Sequence, residues 1–513
     1  MKRVTNNDGD NELTRGDFLR VAGIGTGALI LGGCKPLTSS DSRGRADRTS
    51  QAGRTTEYAL KAAPMTFELG GRKISTWGYN GGVPGPEIRA KEGDTLRVRV
   101  SNRLPEGTTI HWHGLPIPNR MDGVPDVTQK PIGKDADFTY EFEIPVSGTY
   151  FYHSHAGLQL DRAVYGPLIL EPRKESLSYD REFTLMLDDW LDGVDGTPED
   201  ELRSLKSGGS AMGDMGGMGG MKGMGGGGMK GTGSMKGMGG MGEAPRQWPP
   251  DVAYPFYLVN GKPADAPEEL KVKRGEKIRL RFINPSSATI YRVALQGHRM
   301  SVVHADGGAV EPVEVDSFRI GMGERYDVLV EAKNPGVWQL GAQAEGTKKI
   351  GRAVLRYYGS TASAPPADFK PPELGRKLLL YDMLKAAPHA KLPPGGEPDR
   401  VVPITLSGDE KKYIWKINGQ VFSKADPISV GRDEHIRFEI ENTTMMPHPM
   451  HLHGHFFQVE TGDGRGPMKD TVLVDPKQKV SIDWLSDNSG KWAFHCHMIY
   501  HQDAGMMRVV DVA

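Results

Sequence analysis

Short runs in which apolar and polar residues alternate recur through the chain from about residue 65: "TLRVRV" (95–100), "FTYEFEI" (138–144), "KIRLRFI" (277–283) and "HIRFEI" (435–440). Successive strand residues point to opposite faces, so a period of two predicts half-buried strands rather than helices. Gly, Pro and Asn turns between the runs argue for antiparallel sandwiches. Three longer passages share one plan: "EIRAKEGDTLRVRVSNRL" (87–104), "ELKVKRGEKIRLRFINPS" (269–286) and "PISVGRDEHIRFEIENTT" (427–444). Each reads as a strand, a polar turn with glycine, a second strand and then an asparagine. Their recurrence at roughly 160–180 residues predicts three copies of one β domain in an all-β chain.

Other stretches break the alternation. Residues 21–33, "VAGIGTGALILGG", form an apolar run of signal-peptide length, too short to span a bilayer. The run ends in "LGGC", which resembles the lipobox of bacterial lipoproteins and implies acylation of Cys34. "TRGDFLR" (14–20) is similar to a twin-arginine export motif with Gly16 in place of its second arginine. The expectation is an exported protein, lipid-anchored on the extracytoplasmic or periplasmic face of the cell envelope; the competing reading is a buried N-terminal helix with an inert cysteine. The resulting plan is a leader (1–34), a polar tether (35–60), a first domain (61–172), a second (173–360), a proline-rich linker (361–400) and a third domain (401–513). Inside the second domain, 208–242 is almost wholly Gly, Met and Lys, lacks core-forming residues and reads as an excursion.

Composition removes some options. Lys and Arg (64) balance Asp and Glu (65), which gives no electrostatic footprint for nucleic acid. Two cysteines cannot build a disulfide framework. Histidine changes the picture, because His-x-His occurs four times: "HWHG" (111–114), "HSHA" (153–156), "HLHGH" (451–455) and "HCH" (495–497). Chance placement of 15 histidines gives fewer than about one such pair. On a strand, i and i+2 share a face, so each pair offers two imidazoles to one point, and eight together suit a polynuclear centre between the first and last domains. Within "HCH", Cys496 faces away from His495 and His497, so one strand can join two metal sites. His448, Cys496 and His501 with Met506 supply the His₂Cys plus weak Met set of a blue-copper site. A zinc site does not fit one thiolate among so many histidines. A Cys-His nucleophile leaves the other pairs unexplained.

"HWHG", "HSHA", "HPMHLHGHFF" and "HCHMIYHQDAGMM" resemble the four copper motifs of the three-domain multicopper oxidases, the laccase and cuprous-oxidase family, and the likeness is strongest to exported actinobacterial lipoprotein copper oxidases, which share phrases such as "GMGERYDVLV" (321–330). The resemblance implies three cupredoxin-like Greek-key β-sandwich domains holding four copper ions. Type 1 copper would bind His448, Cys496, His501 and Met506, and type 2 copper His111 and His451. The type 3 pair would bind His113, His153, His155, His453, His495 and His497. The implied reaction couples one-electron oxidation of a donor to four-electron reduction of O₂ to water. Asp122 matches an acid placed near the type 2 copper. Gln502 stands where bacterial relatives commonly carry a proton-relaying Glu, and an amide cannot replace that acid; Asp503, beside it, would face the other way on extended backbone.

For the donor, soft thioethers favour Cu(I). The excursion supplies Met212, Met215, Met218, Met221, Met224, Met229, Met235, Met238 and Met241, and Met445 and Met446 precede His448. Met446 matches a methionine that cuprous-oxidase relatives use beside type 1 copper, but the acid two residues earlier is Thr444 here. The leading expectation is an oxidase that removes Cu(I), with phenols or amines as secondary donors and a monomer as the working oligomeric state. A laccase proper and a Met-rich Cu(I) buffer with incidental turnover are the alternatives; a copper nitrite reductase lacks the HCH link.

Overall fold

The computed structural model describes residues 53–209, 248–390, 393 and 395–513. Cys34 and the nine methionines of 212–241 lie outside them. The described chain is built from six sheets, and one pairing plan occurs three times. In the first third, Ile88–Lys91 pairs in parallel with Tyr165–Glu171, while Thr95–Asn102 lies parallel to Thr55–Leu69 and antiparallel to Asp137–Glu143. In the second, Glu268–Val272 pairs in parallel with Ile350–Tyr357, and Lys277–Ile283 lies parallel to Arg181–Trp190 and antiparallel to Arg325–Glu331. In the third, Ile428–Val430 pairs with Met507–Val512, and His435–Asn442 lies between Arg400–Asp409 and Lys479–Leu485.

The asparagine closing each of the three similar passages has a structural task. Asn102, Asn284 and Asn442 are fully buried at the ends of their strands. Each carboxamide donates to carbonyls of other loops: Asn102 to Glu106 and Ile132, Asn284 to Thr289 and Ile320, Asn442 to Met446 and Val474. Each carboxamide oxygen accepts the backbone N–H two residues on. An amide that both donates twice and accepts satisfies loop groups that no strand can pair.

One sequence expectation needs correction. "KIRLRFI" is not half-exposed: Arg279 and Arg281 are buried and share the Asp327 carboxylate at 2.6 and 3.3 Å, because the first domain packs over that face. Within residues 361–400, Leu374, Leu379 and Leu384 are buried and short helical turns form at Pro372–Gly375 and Tyr381–Met383. The described chain is all-β in class, as expected, with only short helices between its strands. Pro198–Lys206 is a helix, set by a Thr197/Asp200 capping box, and a second helix appears at Ile499–Asp503. No helix among the described residues is long and apolar enough to cross a membrane. An apolar cluster around Trp112 and Tyr140 fills the first sandwich; another runs continuously through the second and third and takes in Phe151 and Leu158, so the three docked bodies share a seam.

Candidate metal centre

Strand pairing carries the histidines into that seam. In the first sandwich His111 lies opposite His153, and in the third His451 lies opposite His495 and Met450 opposite Cys496. The strand Gly490–Cys496 ends at the cysteine, so His497 follows it rather than continuing it. The side chains nevertheless separate as alternation requires: Cys496 joins one donor group and His495 another, and the His497 ring packs 4.9 Å from His113 and 5.3 Å from His153 on the His495 side.

The smaller group is His448, Cys496 and His501. The two Nδ1 atoms are 3.1 Å apart, and Cys496 Sγ lies 3.6 and 3.7 Å from them. Thr444 Oγ1 is 2.8 Å from His448 Nε2, which leaves Nδ1 facing the sulfur. His501 Nε2 is 3.3 Å from Asp251 Oδ2, outside hydrogen-bond geometry, and the Trp415 ring packs 3.9 Å from the imidazole, centroid to centroid. Met506 is fully buried beside them: Cys496 N donates to its carbonyl at 3.1 Å, and its own N–H donates to the His501 carbonyl at 2.9 Å. Burial pushes the Cys496 thiol up, so thiolate forms there only when a cation displaces the proton.

The larger group gathers eight buried imidazoles from the first and third sandwiches, seven in donor sets and His497 by ring contact with His113, His153 and His495. Nε2 atoms face each other at 3.4 Å (His111 and His451), 3.3 Å (His155 and His495) and 3.0 Å (His453 and His495). Five rings are held by their Nδ1: His111 on the Asp122 carbonyl, His451 on the Asp470 carbonyl, His153 on that of Ser154, His495 on that of Cys496, and His453 on the Asp122 carboxylate. Such anchoring fixes the tautomer and leaves Nε2 free for a metal. His113 is reversed. Its Nε2 meets Asp470 Oδ1 at 3.1 Å, and its Nδ1 has no partner.

Burial, reinforced by neighbouring histidines, holds His113, His153, His155, His453, His495 and His497 well below the ordinary imidazole range. They are neutral at physiological pH, the form that binds metal. His153 Nε2, His113 Nδ1 and both nitrogens of His497 are buried without a hydrogen-bond partner. Orphaned ring nitrogens beside unprotonated neighbours are costly unless cations take the lone pairs. Together with a buried thiol flanked by two imidazoles, they fit copper.

Models of the family described as multicopper oxidase match residues 62–175, 181–360 and 397–513. The chain is a multicopper oxidase. It is 40% identical over 507 residues to multicopper oxidase MmcO of Mycobacterium tuberculosis, covering 96% of this chain and 95% of that one. It is 31% identical to copper resistance protein A of Escherichia coli, covering 89% and 92%. The structure of a laccase from Botrytis aclada superposes with a TM-score of 0.73 at 25% identity, covering 90% of this chain and 88% of that one. This multicopper oxidase is therefore an O₂-using copper oxidoreductase of three cupredoxin-like domains, with type 1, type 2 and type 3 copper.

The remaining predicted positions are spread more widely. Asp122 is buried between the two sandwiches, 3.2 Å from His111 Nδ1 and 3.1 Å from His453 Nδ1. Gln502 is half-buried in the wall of a cavity of about 670 Å³ that also reaches His155, Lys206 and Asp503. The extended backbone expected at 502 and 503 is instead the helix Ile499–Asp503, which brings both residues to this one cavity. Met445 is exposed while Met446 is buried. His455, outside the donor groups, donates through Nδ1 to the His453 carbonyl at 3.1 Å and packs between Trp484 and Trp492. Sequence reasoning missed Asp251, Trp415, Asp470 and Arg325, which act through contacts between distant segments; the only signal was the shared "GMGERYDVLV" phrase containing Arg325.

Proposed function

We propose that this multicopper oxidase removes Cu(I) by oxidising it, on the extracytoplasmic side of the cell envelope, with a lipid anchor at Cys34. One observation carries the choice of donor. A narrow space of about 20 Å³ beside the cysteine group counts Met322, Met446 and Met498 among its lining residues, together with Asp251, Glu345 and several prolines. Pockets for organic ligands run to about 300–1,000 Å³, whereas a bare ion held by sulfur needs little more than its own volume, and thioethers select Cu(I). The exposed Met445, whose N–H donates to Glu410 at 3.3 Å, lies on the surface of the same loop. The similarity to a copper resistance protein supports the reading.

In this proposal His448, Cys496 and His501, with Met506 beside them, would hold type 1 copper, and His111 and His451 would hold type 2. The type 3 pair divides between His113, His153 and His497 on one side and His155, His453 and His495 on the other. Bound copper supplies one-electron transfer and the reduction of O₂ to water. The chain's own part is positional. Cys496 lies between His495 and His497, so a single backbone segment, clamped by pairing to Met450 and Met507, links the two donor groups. Asp122 is the carboxylate that orients His111 and His453 through their Nδ1 atoms. Gln502 can orient water in the cavity at His155 but supplies no proton; Asp503 is the carboxylate in that lining, paired to Lys206 at 3.4 Å.

Oxygen uptake with Cu(I), under conditions that suppress spontaneous oxidation, tests the donor in the wild type, in Met446→Leu and in a chain lacking 208–242. Rapid uptake that falls in both variants supports the reading. Phenol turnover untouched by either change, without Cu(I)-driven uptake, replaces it with a laccase. Fatty-acid labelling that disappears in Cys34→Ala tests the anchor.

A further inference from the structure

The second domain donates no imidazole to the eight-histidine group, yet one of its loops reaches it. Gly323, at φ +85°, lies so close that a Cβ there would sit 3.0 Å from His113 and 2.9 Å from His497. Two residues on, the Arg325 side chain is wholly buried. Its Nη1 donates to Asp470 Oδ1 at 2.7 Å and its Nη2 to Oδ2 at 2.6 Å, while Nε donates to the Thr149 carbonyl at 3.1 Å. The guanidinium fork thereby clamps a carboxylate of the third domain against a carbonyl of the first. Asp470 Oδ1 also takes the Thr471 hydroxyl at 2.9 Å and faces His113 Nε2 at 3.1 Å. A carboxylate paired with arginine only accepts hydrogen bonds, so His113 must carry its proton on Nε2, and its lone pair sits on Nδ1. His111, His153, His451, His453 and His495, held through Nδ1, have the opposite arrangement.

We infer that Arg325 is a positioning residue for the type 3 copper pair: by fixing Asp470 against His113, it sets an imidazole turned opposite to the five rings anchored through Nδ1. The inference rests on His113 being a copper ligand and is independent of which donor the enzyme oxidises. Lysine at 325 keeps the charge but loses the fork. Loss of a partner that orients a metal ligand weakens metal binding by about 10–100-fold.

The test compares Arg325→Lys with Arg279→Lys in copper-loaded, full-length protein. Arg279 is an equally buried arginine of the same domain, paired to Asp327 at 2.6 Å, and Asp327 touches none of the eight histidines. Copper content during challenge with a chelator is followed beside the type 1 absorption band and the type 2 electron paramagnetic resonance signal. The expected result is that Arg325→Lys releases trinuclear copper about 10–100-fold more readily while the type 1 band stays, and that Arg279→Lys behaves as wild type. Equal retention by Arg325→Lys and wild type overturns the inference. So does loss of type 1 and trinuclear copper in step, or equal loss from both variants. Should Arg325→Lys fail to fold, Asp470→Asn provides the same readings, with selective trinuclear loss expected and wild-type retention decisive against.

Discussion

His455 is the fourth histidine of "HPMHLHGH", and nothing in that string separates it from its ligand neighbours. The structure does, and a pH experiment makes the separation measurable. Burial between Trp484 and Trp492 pushes the His455 imidazole down to about 4, despite its hydrogen bond to the His453 carbonyl. A folded-state pKa below the unfolded one means that the fold favours the neutral ring. The contribution is therefore complete above the unfolded pKa near 6.5 and is lost as pH falls toward 4. At pH 5 the ring is about 97% protonated in the unfolded chain and about 10% in the folded one, a cost of about 2 kcal/mol relative to pH 8. The assay is urea unfolding of copper-free protein at pH 8 and pH 5, followed by tryptophan fluorescence. With m of about 1–3 kcal/mol/M, the wild-type midpoint drops by roughly 1 M more than that of His455→Gln on going to pH 5. His455→Gln retains its full copper complement. A variant that loses as much stability as wild type between the two pH values, or one that loses copper, refutes this account of His455.

Three further outcomes follow from contacts described above. Asn284→Ala strands the Thr289 and Ile320 carbonyls in the core of a domain that holds no copper ligand; it should cost about 2–4 kcal/mol in chemical denaturation with the absorption spectrum of the loaded enzyme unchanged. Thr444→Val removes the hydroxyl at 2.8 Å from His448 Nε2; the type 1 band and potential should shift while trinuclear copper stays, and an unaltered potential would show that the bond does not tune the site. Gln502→Glu places an acid in the cavity that reaches His155; turnover near neutral pH should rise at constant copper content, and an unchanged pH profile would mean that proton supply does not pass this position.

The sequence made the strands and the donor residues legible for one reason: both depend on local periodicity. Alternation at 95–100 and 138–144 predicts the observed strands, and His-x-His spacing predicts which rings share a face. Packing between domains has no local signature. Arg279 and Arg281 occupy positions of a half-exposed strand and are buried by a domain more than a hundred residues away in sequence. Asp470 and Arg325 are 145 residues apart, and neither position is marked by spacing. The helix at Ile499–Asp503 escaped because a run of His, Gln and Asp carries no strong helical pattern over one turn.

The two halves of the eight-histidine group come from 111–155 and 451–497, with His155 and His495 separated by 340 residues and their Nε2 atoms by 3.3 Å. Chain synthesis therefore imposes an order of events: no ribosome-bound intermediate shorter than about residue 500 can offer a complete copper site, so metal cannot be captured before all three sandwiches exist. Bringing such distant points together costs about 5 kcal/mol of chain entropy, and copper bound across them acts as a late fastener that resists reopening. A cell that starves the finished chain of copper should accumulate a protein whose first and third domains part more readily under protease or heat, long before either sandwich itself unfolds.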